Sequence, residues 1–308
     1  MALVDQINVV DCGAGELLGT GQEACTFDWD RIRAIELTKK GFVYPSEDLS
    51  LDNIHEMQQK EEIFIINGFE TFAQIEAAAT ISTSDGSGLE SVDGEMPYKF
   101  EGTFKNKGMN FWKALRRFNS SGAYNIAFYD IKGNKVMTQS KGGLIQGFSV
   151  NMLFTDKYKG KEGNTAATFK ITIQLGDDLT QMERATWVTG DSVDYSISDL
   201  DGYNDVLLTP SPLAVAATSL VVKAVLVDKS HFAAGMVTAD FEIKNDGVLV
   251  VHTAVTPNEV DKTYTFTIPT ATAGTYTVDT KNAFSKKVVL LPSTGILYKG
   301  ITGTVIAS

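Results

Sequence analysis

The residues with the greatest chemical promise lie near the start of the chain. Ile7 to Val10 reads as a short strand running into Gly13, Gly15 and Gly19. A strand followed by this glycine spacing is the arrangement in which a backbone turn approaches a phosphate or a methyl donor, with a helix N-terminus behind it. The context argues against that use. Gly19 and Gly21 interrupt the helix that should follow, and no repeated strand–helix–strand pattern comes after it. A hydrolytic triad needs a base, usually histidine. The chain has only His55, His231 and His252. They are dispersed, none accompanies a G-x-S-x-G turn, and none has the i, i+4 spacing of a zinc site. Asp199, Asp201, Gly202, Asn204 and Asp205 offer hard oxygen ligands but lack calcium-loop spacing and a terminal Glu, so they read as a polar turn. Asp177 and Asp178 follow a strand and precede Leu179–Glu183, which suits a helix N-cap better than a catalytic pair. Cys12 and Cys25 are the two cysteines; they read as thiols kept in a reducing cytoplasm, with a Cys12–Cys25 bridge as the alternative. The expectation is a non-enzymatic protein with no catalytic, metal or cofactor-binding residues and no cofactor.

The elements around these residues are mostly strands. Phe169, Ile171, Ile173 and Leu175 alternate, as do Tyr98, Phe100, Gly102 and Phe104, and again Tyr124, Ile126 and Phe128. Asp130–Asn134 reads as a hairpin loop returning through Lys135–Gln139, and Phe148, Val150 and Leu153 suggest a further strand. Two helices interrupt them. Ser50 caps a short one with Leu51, Ile54 and Met57 inward. A second runs from about Lys107 to Phe118, with Phe111, Trp112, Leu115 and Phe118 on one face and Lys113, Arg116 and Arg117 on the other. That basic cluster is either a solvated face suited to a helix C-terminus or a contact for an acidic partner. Segments 13–23, 80–94 and 156–167 read as long loops, a number unusual for a self-sufficient monomer.

Near residues 199–218 a D-G turn signal, two prolines and several small residues mark a seam. The expected domains are therefore 1–207 and 208–308. Beyond the seam Val221–Val227, Phe241–Ile243, Val248–Val251, Tyr264–Ile268, Tyr276–Val278, Val288–Leu291 and Ile296–Ile306 give about seven short strands, with Asn245-Asp246-Gly247 as a hairpin turn. This is the pattern of an immunoglobulin-like (Ig-like) sandwich without its disulfide and packing Trp.

The charge is uneven. Of a net −11, residues 206–308 contribute +1 (eight Lys against seven acids) and residues 1–205 contribute −12 (19 basic against 31 acidic). Such a surface disfavours phosphate-backbone binding, yet suits a wall that DNA passes without sticking. With 43% apolar and 21% charged residues the composition is that of a folded globular chain. No apolar run is long enough for a membrane helix, and the first residues lack the basic and apolar regions of a secretory leader.

The block from Pro97 to Leu175 (PYKFEGTF, NFWKALRRFN, AYNIAFYDIKGN, GGLIQGFSVNM) resembles the tail-tube fold of tailed-bacteriophage virion structural proteins in its order of strand, helix, hairpin and strand. The resemblance implies a mainly β fold. It comprises a tail-tube-like β-sandwich or barrel with a flanking helix, followed by an Ig-like β-sandwich decorating the outside. It implies a structural subunit in stacked, hexameric rings, located in the virion and made in the host bacterial cytoplasm. The implied partners are other copies of the chain, other tail or neck proteins, and DNA passing without specific binding; no membrane is involved. The competing readings are a head, neck or capsid-decoration protein on the same fold, and an Ig-bearing bacterial surface adhesin.

Overall fold

A computed structural model describes residues 3, 7–8, 31–45, 49–75, 80–83, 90–94, 97–163, 165–176, 180–227 and 231–308. The protein is mainly β, with several sheets and a few helices. It forms two compact units: Met1–Ile54 with Ile63–Leu200, and His55–Glu62 with Asp201–Ser308.

In the first unit the strands are β1 (Ile7–Asn8), β2 (Ile32–Lys39), β3 (Ile63–Asn67), β4 (Thr71–Ile75), β5 (Thr80–Thr83), β6 (Glu90–Gly94) and β7 (Lys99–Lys105). They continue with β8 (Ser120–Ser121), β9 (Tyr124–Asp130), β10 (Lys135–Gln139), β11 (Ile145–Gln146), β12 (Phe148–Thr155), β13 (Thr168–Leu175) and β14 (Ala185–Val188). Helix α1 (Leu51–Gln59) begins in this unit; α2 (Met109–Arg116) and α3 (Thr180–Glu183) lie within it. The main hydrogen-bonded path runs β1-β14-β10-β9-β12-β13-β7-β4. β9 is the pivot. Its full length pairs with β2, while its other edge pairs with β12 at Ile126↔Phe148 and with β10 at Val136↔Phe128. The sheet divides there and closes over one core.

Alternation explains that core. On β7 Phe100, Gly102 and Phe104 face inward, and on β13 Phe169, Ile171, Ile173 and Leu175 do the same. Ring centroids lie 4.5 Å apart for Phe69–Phe104, 4.9 Å for Phe100–Phe128 and 5.1 Å for Phe104–Phe169. Each fully buried Phe contributes roughly 1.5–3 kcal/mol relative to exposure. Gly102 is required here, because a Cβ would come within 2.5 Å of the Phe69 ring. Helix α2 covers this core with Leu115, and Phe111, Trp112 and Phe118 pack half-buried beside it. Ser50 caps α1 as expected, accepting from the Asn53 amide at 3.4 Å.

Several expectations change. β9 is buried on both faces apart from its first residue, whereas its sequence suggests one inward face. Residues 80–94 are not a plain loop: β5 and β6 pair with each other as a separate two-stranded sheet, with residues 84–89 outside the described set. The reason is that Thr80–Thr83 is rich in β-branched residues despite the surrounding Ser and Gly. The 156–167 segment prolongs the β12–β13 hairpin through bridges Lys159↔Thr168 and Glu162↔Thr165. The glycine-rich stretch from Gly13 to Gly21, both cysteines and Asp177–Asp178 fall outside the described residues.

The second unit is a two-sheet sandwich. One sheet has the order β19-β20-β16-β15-β23-β22 and the other β18-β17-β21-β24. The strands are β15 (Asn204–Pro210), β16 (Ser219–Leu226), β17 (Phe241–Asn245), β18 (Val248–Val250), β19 (Ala254–Asn258), β20 (Thr263–Thr267), β21 (Gly274–Thr280), β22 (Val288–Leu291), β23 (Ile296–Ile301) and β24 (Gly303–Ala307). That is ten strands among the described residues, where about seven were expected. Strand β15 spans the expected 207/208 seam. It is central in its sheet, antiparallel to β16 and parallel to β23. The Asn245–Gly247 turn forms as expected, with Asp246 and Gly247 at φ 47° and 84°. Phe241, Ile243, Tyr264, Phe266, Tyr276 and Val278 fill the space between the sheets.

Candidate assembly surfaces

The feature that sets the first unit apart is an excursion from its sheet. β4 and β7 are antiparallel neighbours whose ladder ends at Ile75↔Lys99. A simple hairpin would turn there in a few residues. Instead the chain runs through residues 76–98, carrying the β5–β6 ribbon, before it returns. The ribbon pairs with no other described strand. A lone two-stranded ribbon is marginal in water, because it has no second layer on which to bury a face. Its composition is one-sided as well: residues 76–98 hold Glu76, Asp85, Glu90, Asp93 and Glu95 and no Lys or Arg.

Beside it lies a sheet edge that is open among the described strands. β4 ends the hydrogen-bonded path and pairs only with β7 among the described strands. Its sequence, TFAQI, carries neither Pro nor Lys to block further pairing. β3 likewise pairs only with β2 among the described strands.

Behind these surfaces the unit is stiffened by a polar cluster that the sequence did not announce. Glu36 on β2 and Lys135 on β10 are 0% and 1% exposed. Lys135 Nζ donates to both Glu36 oxygens, at 3.0 and 2.9 Å. Tyr44 donates to Oε1 at 2.5 Å and Tyr129 to Oε2 at 2.7 Å. The ammonium also lies 4.2 Å from the Tyr44 ring centroid. Burial pushes the Lys135 pKa down, opposed by the Glu36 charge. Burial first and the Glu36 charge second push the Tyr44, Tyr129 and Tyr195 hydroxyls up. Each carboxylate oxygen is thus satisfied twice, which is what a buried charge demands. The cluster clamps β2 and β10 across β9 and acts as a buried fastener.

Among the described residues, those singled out in the sequence do not converge. His55 is buried on α1. His231 is exposed, and His252 Nε2 lies 2.9 Å from the Thr238 carbonyl. Asp199 caps a 3-10 turn, accepting from the Ser196 amide at 2.8 Å. No group of three or more His, Cys, Asp or Glu able to hold a metal occurs among the described residues. No described helix is long and apolar enough to cross a membrane.

The second unit has an open groove of about 590 Å³ between β17, β18 and the 281–283 turn. Asp240, Glu242, His252, Lys281 and Asn282 line it together with apolar Leu249 and Val250. Its charges are partly paired, with Lys281 Nζ 3.1 Å from Glu242. Desolvation pushes the Asp240 carboxyl up, opposed by the Val237 amide that donates to it. Residues 55–62 belong to this unit: Tyr203 donates to the Gln58 carbonyl and Asn282 to the Gln59 carbonyl, both at 2.8 Å.

No protein-family model matches the chain, and no curated protein matches it. Among solved structures the chain is similar to SGBP-B of the Bacteroides ovatus mixed-linkage glucan utilization locus, in complex with a mixed-linkage heptasaccharide. Identity is 13%, the match covers 80% of this chain and 62% of that one, and the TM-score is 0.20. At that score the likeness carries no argument about fold or ligand.

Proposed function

We propose that the chain is a structural subunit of a phage virion that assembles with its own copies into stacked rings forming a tail tube for DNA passage. The observation that carries this reading is the β5–β6 ribbon. It leaves the sheet at Ile75, pairs only with itself among the described strands, and returns at Lys99. A self-sufficient monomer has no use for such an arm, whereas an assembling subunit uses it to reach a neighbour. The open edge of β4 supports the same reading, because strand pairing between subunits is the simplest way to continue a sheet around a ring.

Charge is compatible with passage of DNA. The first unit carries a net −8, so a lumen walled by it repels phosphates instead of retaining them. The second unit carries −3 and so holds the smaller share of that charge. In this reading the partners are copies of the chain, other tail or neck proteins, and DNA that passes unbound; the location is the virion.

Negative-stain electron microscopy of the purified chain over a concentration series tests it. Stacked rings or tubes with a central channel are expected. Closed single rings that never stack would favour a neck or decoration role. Monomers at every concentration, with export to the cell surface and glycan binding, would favour the adhesin.

A further inference from the structure

The β17–β18 ladder of the second unit stops at Ile243↔Val250, while β17 extends beyond it through Phe241 and Glu242, still paired on the other side with Thr280 and Asp279 of β21. After Val250 the chain leaves for β19. Among the described strands nothing therefore pairs with that end of β17 on the β18 side. The groove of about 590 Å³ lies along it, and every residue lining it belongs to this unit. That volume is in the range of a ligand site. The rim is apolar and exposed: Leu249 is 56% and Val251 64% exposed, and Val237, next to the lining residue Thr238, is 59% exposed. Exposed apolar side chains grouped around polar ones mark a surface that another molecule covers.

The polar side chains of the groove are short of donors. Glu242 is satisfied by Lys244 at 2.5 Å and Lys281 at 3.1 Å. Asp240 has no ion pair among the described residues; its Oδ2 accepts from the Val237 amide at 2.7 Å and its Oδ1 from none of them. His252 Nε2 donates to the Thr238 carbonyl, which leaves Nδ1 as an acceptor. The Gln59 side-chain amide makes no hydrogen bond among the described residues, although its main-chain carbonyl accepts from Asn282. An uncompensated carboxylate with two further acceptors suits a planar cation rich in donors, and a guanidinium has five. A saccharide would want a ring face to lie on, whereas Phe241, the phenyl ring among the lining residues, is 4% exposed. We propose that this groove binds an extended, arginine-bearing peptide segment of a partner protein, its main chain pairing along the free end of β17 and its guanidinium meeting Asp240. The site lies within the second unit and does not depend on ring formation.

The test uses the full-length chain and the fluorescein-labelled heptapeptide Thr-Val-Thr-Arg-Thr-Val-Thr. Alternation along an extended strand puts its arginine and both valines on one face. A second peptide carries citrulline, which keeps the shape of arginine without the charge. Fluorescence anisotropy should show saturable binding of the arginine peptide below about 1 mM, and binding of the citrulline peptide weaker by about tenfold. Asp240→Asn keeps an oxygen for the Val237 amide; it should lose the same factor of about ten and no longer distinguish the two peptides. Gln59→Ala should weaken the arginine peptide by about threefold. N-methylation at the arginine and the following threonine removes one main-chain donor from each edge of the peptide and should cost about tenfold. Circular dichroism melts check that each variant folds.

Equal binding of the arginine and citrulline peptides, or an Asp240→Asn chain that binds like the parent, would overturn the proposal. So would an N-methylated peptide that binds as well as the unmodified one, because the main chain would then not pair. Failure of the arginine peptide to saturate by about 1 mM would sink it outright. Calorimetric binding of maltoheptaose that Asp240→Asn abolishes, with no peptide binding, would make the groove a saccharide site and reject the peptide. Ring assembly is read separately by negative stain, so neither result decides the other.

Discussion

Replacing Lys135 by Met removes the one cation from a fully buried cluster while preserving most of the side-chain volume. Glu36 keeps its two phenol donors, at 2.5 and 2.7 Å, but loses the ammonium at 2.9 and 3.0 Å. Stripping one partner from a buried pair costs about 3–5 kcal/mol, since the remaining charge is uncompensated. The two retained hydrogen bonds place the loss near the lower end, about 3 kcal/mol. Adding Glu36→Gln removes the orphaned charge and should restore about 2 kcal/mol, a coupling readable in a double-mutant cycle. All three tryptophans, Trp29, Trp112 and Trp187, belong to the first unit, so urea unfolding followed by Trp fluorescence reports on that unit alone. With a urea slope of roughly 2 kcal/mol per M, the midpoint should fall by about 1.5 M in the single variant and recover most of this in the double. A drop under about 0.3 M, or a double variant no better than the single, would refute the idea that the pair is a coupled fastener.

Two further perturbations probe the same unit. Gly102→Ala places a Cβ within 2.5 Å of the Phe69 ring, so thermal melts of the variant should show about 1–3 kcal/mol of overpacking; an unchanged melt would mean Phe69 has somewhere to go. The tyrosine cluster sets an alkaline limit. Tyr44, Tyr129 and Tyr195 hold their protons in the folded state beyond pH 10, where the unfolded chain releases them, so stability is intact below pH 10 and falls above it. Lys135, with its pKa lowered, acts oppositely, adding stability as pH rises toward 10.5, and has no effect above that. Each of the three phenols contributes about 1.4 kcal/mol per pH unit once unfolded Tyr ionises, so Tyr129→Phe should flatten the loss above pH 10.5 by about that amount in urea titrations. An identical pH slope in the variant would contradict the assignment.

How much of this was legible in the sequence depended on whether a local rule was at work. The Asn245–Gly247 turn needs positive φ at two positions, which Asn, Asp and Gly tolerate, so the residues announce it. The Asp130 turn is equally local: Asp130 Oδ1 accepts from the Lys132 and Asn134 amides at 2.8 and 3.0 Å. Alternation revealed β7 and β13 because each has one face in the core. It was silent on β2, whose burial runs through both faces from Ala34 to Thr38, and on Glu36, since a lone acid in a strand reads as solvent-facing. Only the distant Lys135, Tyr44 and Tyr129 make that carboxylate tolerable. β15 was hidden by the turn and proline signals around it, because its place is set by partners as far along the chain as Lys299 and Gly300. The assignment of residues 55–62 to the second unit is long-range in the same way. Of the candidate assembly surfaces, the β5–β6 ribbon did not stand out in the sequence, since the Ser, Asp and Gly between its strands read as a loop.

The proposed role requires that the chain's natural partner be another copy of itself. Electron microscopy of the purified full-length protein, raised stepwise in concentration at low salt, addresses that directly. Stacked rings with an open channel are the predicted result; particles that remain single chains at every concentration would contradict it.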